Sequence, residues 1–323
     1  MEGLIAVTYR CNARCKMCDT WRFPSRKAEE IQPQHLESLP EMVFTNLTGG
    51  EPFLRRDLEE IIEVVKPKTK RIVISTNGFF TSRIINVAKK YPDIGIRISI
   101  EGLPRVNDEL RGIRDGFDKG LRTLLELQAM GLKDIGFGIT LSDRNARDLM
   151  SLYRLAKALG LEFATAATHN NFYFHKHDNE FKQPDLICRE LDWLIADMLR
   201  SSRPKNWFRG YFNYGLKNFI RGGKRLLPCE MGTDVFFVDP FGEVLPCNGL
   251  EESMGNLTRE SFAQIWTGEK ARRVRSMVRN CEKNCWMIGS VSPAIKKRIW
   301  IPIWWILRQK LINRRRAACD APA

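Results

Sequence analysis

Residues 43–76 read VFTNLTGGEPFLRRDLEEIIEVVKPKTKRIVIST. Two apolar runs rich in β-branched residues, Val43 to Thr48 and Arg71 to Thr76, enclose an amphipathic stretch, Asp57 to Val65. The segment therefore predicts strand, helix, strand. The same alternation extends outward on both sides. Further strands are expected at Leu4 to Thr8, Ile94 to Ile100, Ile135 to Leu141 and Leu161 to Ala167. Helices are expected at Ser82 to Lys89, Phe117 to Met130 and Ala146 to Leu159, with Gly131 and Gly160 placed to end the last two. Repeated strand-helix alternation predicts parallel pairing with right-handed crossovers, in a doubly wound sheet or a full or partial barrel. In such folds function gathers at the carboxyl rim, where strands end. Arg10 to Cys18 follows the first strand, Gly49-Gly50-Glu51-Pro52 the second, Asn77-Gly78 the third and Glu101-Gly102 the fourth, while Thr140 closes the fifth.

The chain has 323 residues, enough for one large α/β unit or for a barrel plus a smaller module, and its 43% hydrophobic and 28% charged content is that of a globular protein. MEGLIAVTYR carries no basic n-region or long apolar stretch, so the expected location is cytoplasmic. In a reducing compartment, clustered cysteines read as metal ligands or catalytic groups rather than disulfides. Seven of the nine cysteines are clustered. Cys11-x3-Cys15-x2-Cys18 offers three thiolates from one short loop. A four-iron cubane has four corners, so three ligands leave one iron open for a substrate or cofactor. A zinc site completed by a distant ligand is the alternative.

Together with Gly49-Gly50-Glu51-Pro52, Ser75-Thr76-Asn77-Gly78 and Ser99-Ile100-Glu101-Gly102, this cysteine loop resembles the radical S-adenosylmethionine (SAM) superfamily over about residues 1 to 170. The resemblance implies a partial (β/α)6 TIM-like barrel whose open iron binds the amino and carboxylate groups of SAM. It also implies that Gly49 and Gly50 let backbone approach the methionine moiety and that Glu51 accepts from its ammonium group. Ser75, Asn77, Ser99 and Glu101 would meet the ribose or carboxylate, Met17 and Ile139 the adenine, and Arg111 the carboxylate. No catalytic residue is assigned beyond the cluster. Cys229, then Gly242 and Cys247, with Cys281-x3-Cys285 downstream, resembles the auxiliary-cluster domain called twitch, related to SPASM. A CxxC pair would be more usual in its second half. Four thiolates would saturate a second 4Fe-4S cluster and suit electron relay; a structural zinc held by the same four cysteines is the alternative. The expected domains are 1–224 (barrel and following helices), 225–290 (hairpin-based auxiliary cluster domain) and 291–323 (a basic aromatic C-terminal helix). Cys188, in an apolar helix, is expected in the core.

His169, His175 and His177, interleaved with Phe172, Tyr173 and Phe174, form a loop able to cover the barrel mouth, as a substrate lid or as plain surface. Residues 291–323 hold eight Lys or Arg against Asp320, a net +7 out of the chain's +14. Trp300, Trp304 and Trp305 sit among these basic residues, in a run too short to span a bilayer. Residues 293–316 are thus expected either to lie in a membrane interface at the inner face or to dock on the barrel with their basic side in water. No specific nucleic acid partner is predicted. The leading reading is an oxidoreductase or related radical enzyme fed by flavodoxin or ferredoxin, cleaving SAM to a 5'-deoxyadenosyl radical that takes hydrogen from a substrate. A lipid or lipid-linked glycan is favoured by the tail, with peptide maturation or sugar and nucleotide modification as alternatives. A non-enzymatic iron-sulfur carrier or sensor is the alternative of another class.

Overall fold

The computed structural model describes residues 1–319, with side chains through Ile312. The side chains of Arg314, Arg315, Arg316 and Cys319, and all of Asp320, lie outside the described residues. In chain order the strands are β1 (Glu2–Ala6), β2 (Phe44–Thr48), β3 (Ile72–Thr76), β4 (Gly95–Ser99), β5 (Ile135–Leu141), β6 (Glu162–Ala167), β7 (Val235–Val238), β8 (Glu243–Leu245) and β9 (Gly255–Asn256). Helices α1 (Leu58–Val65), α2 (Thr81–Lys90), α3 (Pro104–Arg111), α4 (Gly116–Ala129) and α5 (Leu149–Ala158) fall between the first six strands. Helices α6 (Pro184–Arg200) and α7 (Pro204–Ile220) follow β6. Beyond β9 come α8 (Phe262–Thr267), α9 (Glu269–Arg279), α10 (Ile288–Lys297) and α11 (Trp300–Cys319).

All strands share one sheet in the order β6-β5-β4-β3-β2-β1-β7-β8-β9, with every pair from β6 to β7 parallel. The expected partial (β/α)6 barrel is what forms. The expected strands appear within two residues of where they were read, β1 being shifted most. The hairpin segment does not stand apart from the barrel: β7 pairs parallel with β1, Glu2 opposite Val235, and carries β8 and β9 as antiparallel additions.

Strand side chains alternate between the two faces of the sheet. Leu47, Ile74, Ile96, Ile98, Phe137 and Ile139 join Ile61, Ile62, Val65, Ile84, Leu124, Leu127 and Leu152 of the covering helices in one buried cluster. Each such Leu or Ile contributes about 1.5–3 kcal/mol by leaving water. The opposite face carries Asn46, Ser75, Ser99, Thr140 and Ala166, all too small to fill the interior as bulky layers fill a closed barrel. A cavity of about 680 Å³ remains.

Helix α7 packs beside β6 and α10 beside β7. Trp286, just before α10, wedges against Gly215 of α7, where a Cβ would lie 2.1 Å from the indole ring, and its Nε1 donates to the Phe212 carbonyl at 2.8 Å. Gly289 of α10 faces Leu4 of β1. Cys188 is buried in α6, as expected of a core residue.

Candidate active site

The loop after β1 is anchored before it reaches its cysteines. Glu30 is buried and accepts from Arg10 at both oxygens (2.9 and 2.7 Å), from Ser25 Oγ at 2.6 Å and from Thr8 Oγ1. The C-terminal end of α3 then holds the loop backbone. Arg14 N donates to the Arg111 carbonyl at 3.0 Å and Lys16 N to the Leu110 carbonyl at 2.8 Å. Gly112 caps α3 at φ 57, and a Cβ there would meet the Arg14 carbonyl oxygen at 2.3 Å. From the other side, Asp19 N donates to the Phe174 carbonyl.

Cys11, Cys15 and Cys18 are thus presented together on the cavity wall. Burial pushes the Cys11 thiol up to about 12 and the Cys15 thiol up to about 11, and it raises Cys18 as well. Cys18 Sγ also lies 3.0 Å from Thr20 Oγ1. Metal binding must therefore displace protons from these thiols, and a nearby cation favours their release. Arg111 is that cation. Burial alone would depress its guanidinium, but Cys15, Glu101, Cys11 and Glu51 around it outweigh the burial and raise it. Its Nη1 reaches Glu101 Oε1 at 3.1 Å, while its Nε is buried without a partner. Glu101 is pushed up by burial and pulled back by Arg111 and by Thr140 N, which donates to Oε2 at 2.6 Å.

The Gly49-Gly50-Glu51-Pro52 loop packs against the cysteine loop. A Cβ on Gly49 would lie 2.4 Å from the Thr8 carbonyl oxygen, and one on Gly50 2.3 Å from that of Arg10. Fully buried Glu51 accepts from Phe53 N, Thr76 Oγ1 and Asn77 N (3.1, 2.8 and 2.8 Å), which ties the loop to the end of β3. Its carboxylate is turned onto those donors and is not on the cavity wall. Met17, Ser75, Asn77 and Ser99 do line the cavity. Ser75 Oγ donates to Asn46 Oδ1 at 3.0 Å, and Asn77 Nδ2 donates to Asn12 Oδ1 at 2.7 Å. Ile139 does not reach the wall, because its place in β5 turns it outward into the helix-facing core.

The aromatic loop packs against the cysteine loop and the Gly49-Gly50 loop. Tyr173 Oη donates to the Gly49 carbonyl at 2.9 Å, Thr20 Oγ1 to the Tyr173 carbonyl at 3.0 Å and Asn179 Nδ2 to the Met17 carbonyl at 3.2 Å. Of its three histidines, only His169 lines the cavity. Its ring stacks on Phe219 at 4.4 Å, Nδ1 lies 2.6 Å from the Ala167 carbonyl, and buried Nε2 has no partner. Trp21 and Asn46 also line the wall and were missed in the sequence reading. Alternation along β2 is the signal that would have found Asn46. At its far end the cavity is lined by Val43, Phe44, Met287, Ile288, Ser292 and Lys296.

In the C-terminal module, Cys229 and Cys285 each feel the charge of Cys281, and Cys247 that of Cys229 and Cys285. Burial pushes Cys247 up to about 12 and raises Cys229 and Cys285. Arg225 lies beside three of these thiols, donating to the carbonyls of Cys285, Leu227 and Ser290. Among the described residues, no three Cys, His, Asp or Glu side chains converge closely enough for a single metal ion. What both places offer is sets of soft thiolates, the donors that iron-sulfur clusters take.

Residues 5–156 match the Radical SAM superfamily, and residues 229–286 match the iron-sulfur cluster-binding domain called SPASM. The chain belongs to the radical SAM superfamily. This radical SAM chain is 32% identical over 161 residues to Fe-coproporphyrin III synthase of Methanosarcina barkeri, a match spanning 46% of the chain and only 39% of that relative. It is 26% identical over 316 residues to pre-heme d1 synthase of Dinoroseobacter shibae, covering 85% of the chain and 76% of the relative. In fold it is similar to the AdoMet-bound structure of anSMEcpe, with a TM-score of 0.64 at 16% identity over 99% of this chain and 100% of that one. The cofactors of such proteins are 4Fe-4S clusters and SAM.

Proposed function

We propose that this chain cleaves SAM reductively at Cys11, Cys15 and Cys18 and transfers a hydrogen atom from a substrate held in the barrel cavity. The carrying observation is that Cys11, Cys15, Cys18 and Arg111 line one 680 Å³ cavity together. The donor set fits a cluster with one open iron, and the Arg111 guanidinium fits the SAM carboxylate. When bound, the cluster and SAM supply the electron and the 5'-deoxyadenosyl radical. The chain's own residues bind, orient and exclude water. Glu101 fixes the Arg111 fork, Met17 offers an apolar contact, and Ser75, Asn77 and Ser99 offer polar ones. Glu51 and Ile139 serve in this reading by holding the loop and strand that shape the pocket. Gly49 and Gly50 let the loop close on the cysteine loop, which Tyr173 covers. Cys229, Cys247, Cys281 and Cys285 hold the auxiliary cluster, and a flavodoxin or ferredoxin supplies electrons. Residues 1–224, 225–290 and 291–323 act as barrel, auxiliary module and C-terminal segment.

For the substrate we favour a lipid or lipid-linked glycan, since the far end of the cavity is lined by Val43, Phe44, Met287 and Ile288. Tetrapyrrole chemistry is the second reading, favoured by the names of the relatives. The test is anaerobic: reconstitute with iron and sulfide, add dithionite and SAM, and follow 5'-deoxyadenosine in wild type and Cys15→Ala. Product from wild type alone supports the radical reaction, and lipid, glycan and porphyrin substrates are then compared. Iron-loaded wild type that makes no 5'-deoxyadenosine with several reductants would overturn it.

A further inference from the structure

We infer that the outward face of α11 docks the protein onto an anionic lipid bilayer. Trp300, Trp304, Leu307 and Leu311 are 67%, 63%, 57% and 59% exposed, and Ile303 is 40% exposed. At about 100° per residue they form a single stripe along the helix. The opposite face already packs on α7. Trp305 and Ile306 are buried, and the Trp305 ring lies 5.5 Å from that of Tyr211 and 5.0 Å from that of Tyr214 on α7. The exposed stripe is therefore additional apolar surface that the fold does not use.

Charge identifies what covers it. Arg308 and Lys310 fall on either side of the stripe, Arg308 with its guanidinium 5.5 Å from the Trp304 ring and Lys310 with its ammonium 3.4 Å from the Trp207 ring. The sequence has no Asp or Glu between Lys283 and Cys319, and Arg314, Arg315 and Arg316 follow the stripe. Basic residues bordering a Trp-rich apolar stripe are the arrangement an interfacial helix uses: the rings enter the headgroup boundary while the charges meet anionic lipid. A second copy of the chain is the weaker occupant, because it would bring two basic borders together. Lys296, Lys297 and Arg298 take no part, being paired with Glu2, Glu230 and Asp234. No helix among the described residues is long and apolar enough to cross a membrane, so α11 would lie on the surface. Only Arg298 and Ile299 separate it from α10, so docking would hold the cavity close to the lipid.

The inference stands apart from the radical reaction and is read without SAM. Reconstituted full-length protein is sedimented with phosphatidylcholine vesicles, with and without phosphatidylglycerol, at low and high salt. Binding is expected with phosphatidylglycerol only, falling several-fold in high salt. W300S/W304S should lose it by roughly tenfold, and R308Q should bind more weakly with a shallower salt dependence, both with unchanged melting temperature. Absence of binding to the anionic vesicles, or binding that survives W300S/W304S, would overturn the inference. So would a dimer in light scattering that W300S/W304S dissolves, since it assigns the face to a second copy.

Discussion

Arg111 closes α3 with its guanidinium buried between Glu101 and the cysteine thiols. Removing one partner of a buried ion pair strands the other, at about 3–5 kcal/mol. Arg111→Leu should therefore unfold at clearly lower urea in circular dichroism and bind SAM more weakly. Arg111→Lys should keep much of the stability but lose SAM affinity, because an ammonium lacks the guanidinium fork. Equal affinity in Arg111→Lys would remove the guanidinium from SAM recognition. His169 makes a different prediction. Burial lowers its pKa despite the hydrogen bond to Ala167. The folded state then takes up a proton less readily than the unfolded chain, whose histidine titrates near 6.5 (roughly). Stability from this group is thus present above that pH and declines as pH falls through it. His169→Phe, which keeps the stack on Phe219, should flatten the loss of melting temperature between about pH 7 and 5. An unchanged profile would mean that His169 is solvated.

At the scale of elements, the site is made by loops that pack backbone against backbone. Gly50 is among the tightest of these contacts, and a Cβ there would push against the carbonyls of Arg10 and Tyr9. Overpacking of this kind costs about 1–3 kcal/mol. Gly50→Ala should lower both the melting temperature and the iron bound per chain after reconstitution, since the displaced strand end carries the cysteine loop. Normal iron content would show that the cysteine loop moves independently of its neighbour. The six barrel strands and helices α1, α2, α4 and α5 were legible in the sequence because burial imposes periods of two and 3.6 residues, whereas α8, α9 and α10 were not read. Helix α3 was not legible either, since only Val106 and Leu110 break a polar run. Its signals were capping ones, Pro104 at the start and Gly112 in the left-handed region at the end. Among the residues expected at SAM, Glu51 was recognised by motif, yet its carboxylate holds its own loop.

Across the whole molecule, ion pairs fasten α10 to the barrel floor. Lys296 pairs with Glu2, and Glu230 accepts from Lys297 and Arg298. Burial would raise the Glu230 carboxyl, but those two cations outweigh it and hold it below the ordinary range. A lowered carboxyl contributes stability above the unfolded value of about 4.3 and loses it as pH falls below that. Glu230→Gln should thus melt earlier than wild type at pH 7, and the two should converge at acid pH. A gap that persists at low pH would mean the side chain matters for shape and not for charge.

The sequence by itself determined the strand-helix alternation, the two groups of cysteines and the family, because these depend on local periodicity and on motif spacings read along the chain. It also showed that the tail is basic and aromatic. Only the tertiary structure decided which face of each strand meets the cavity, that β7 joins β1, and that Lys296, Lys297 and Arg298 pair with Glu2, Glu230 and Asp234 while Trp300 and Trp304 face out. Those outcomes depend on pairings between residues far apart in the chain, and no local pattern encodes them.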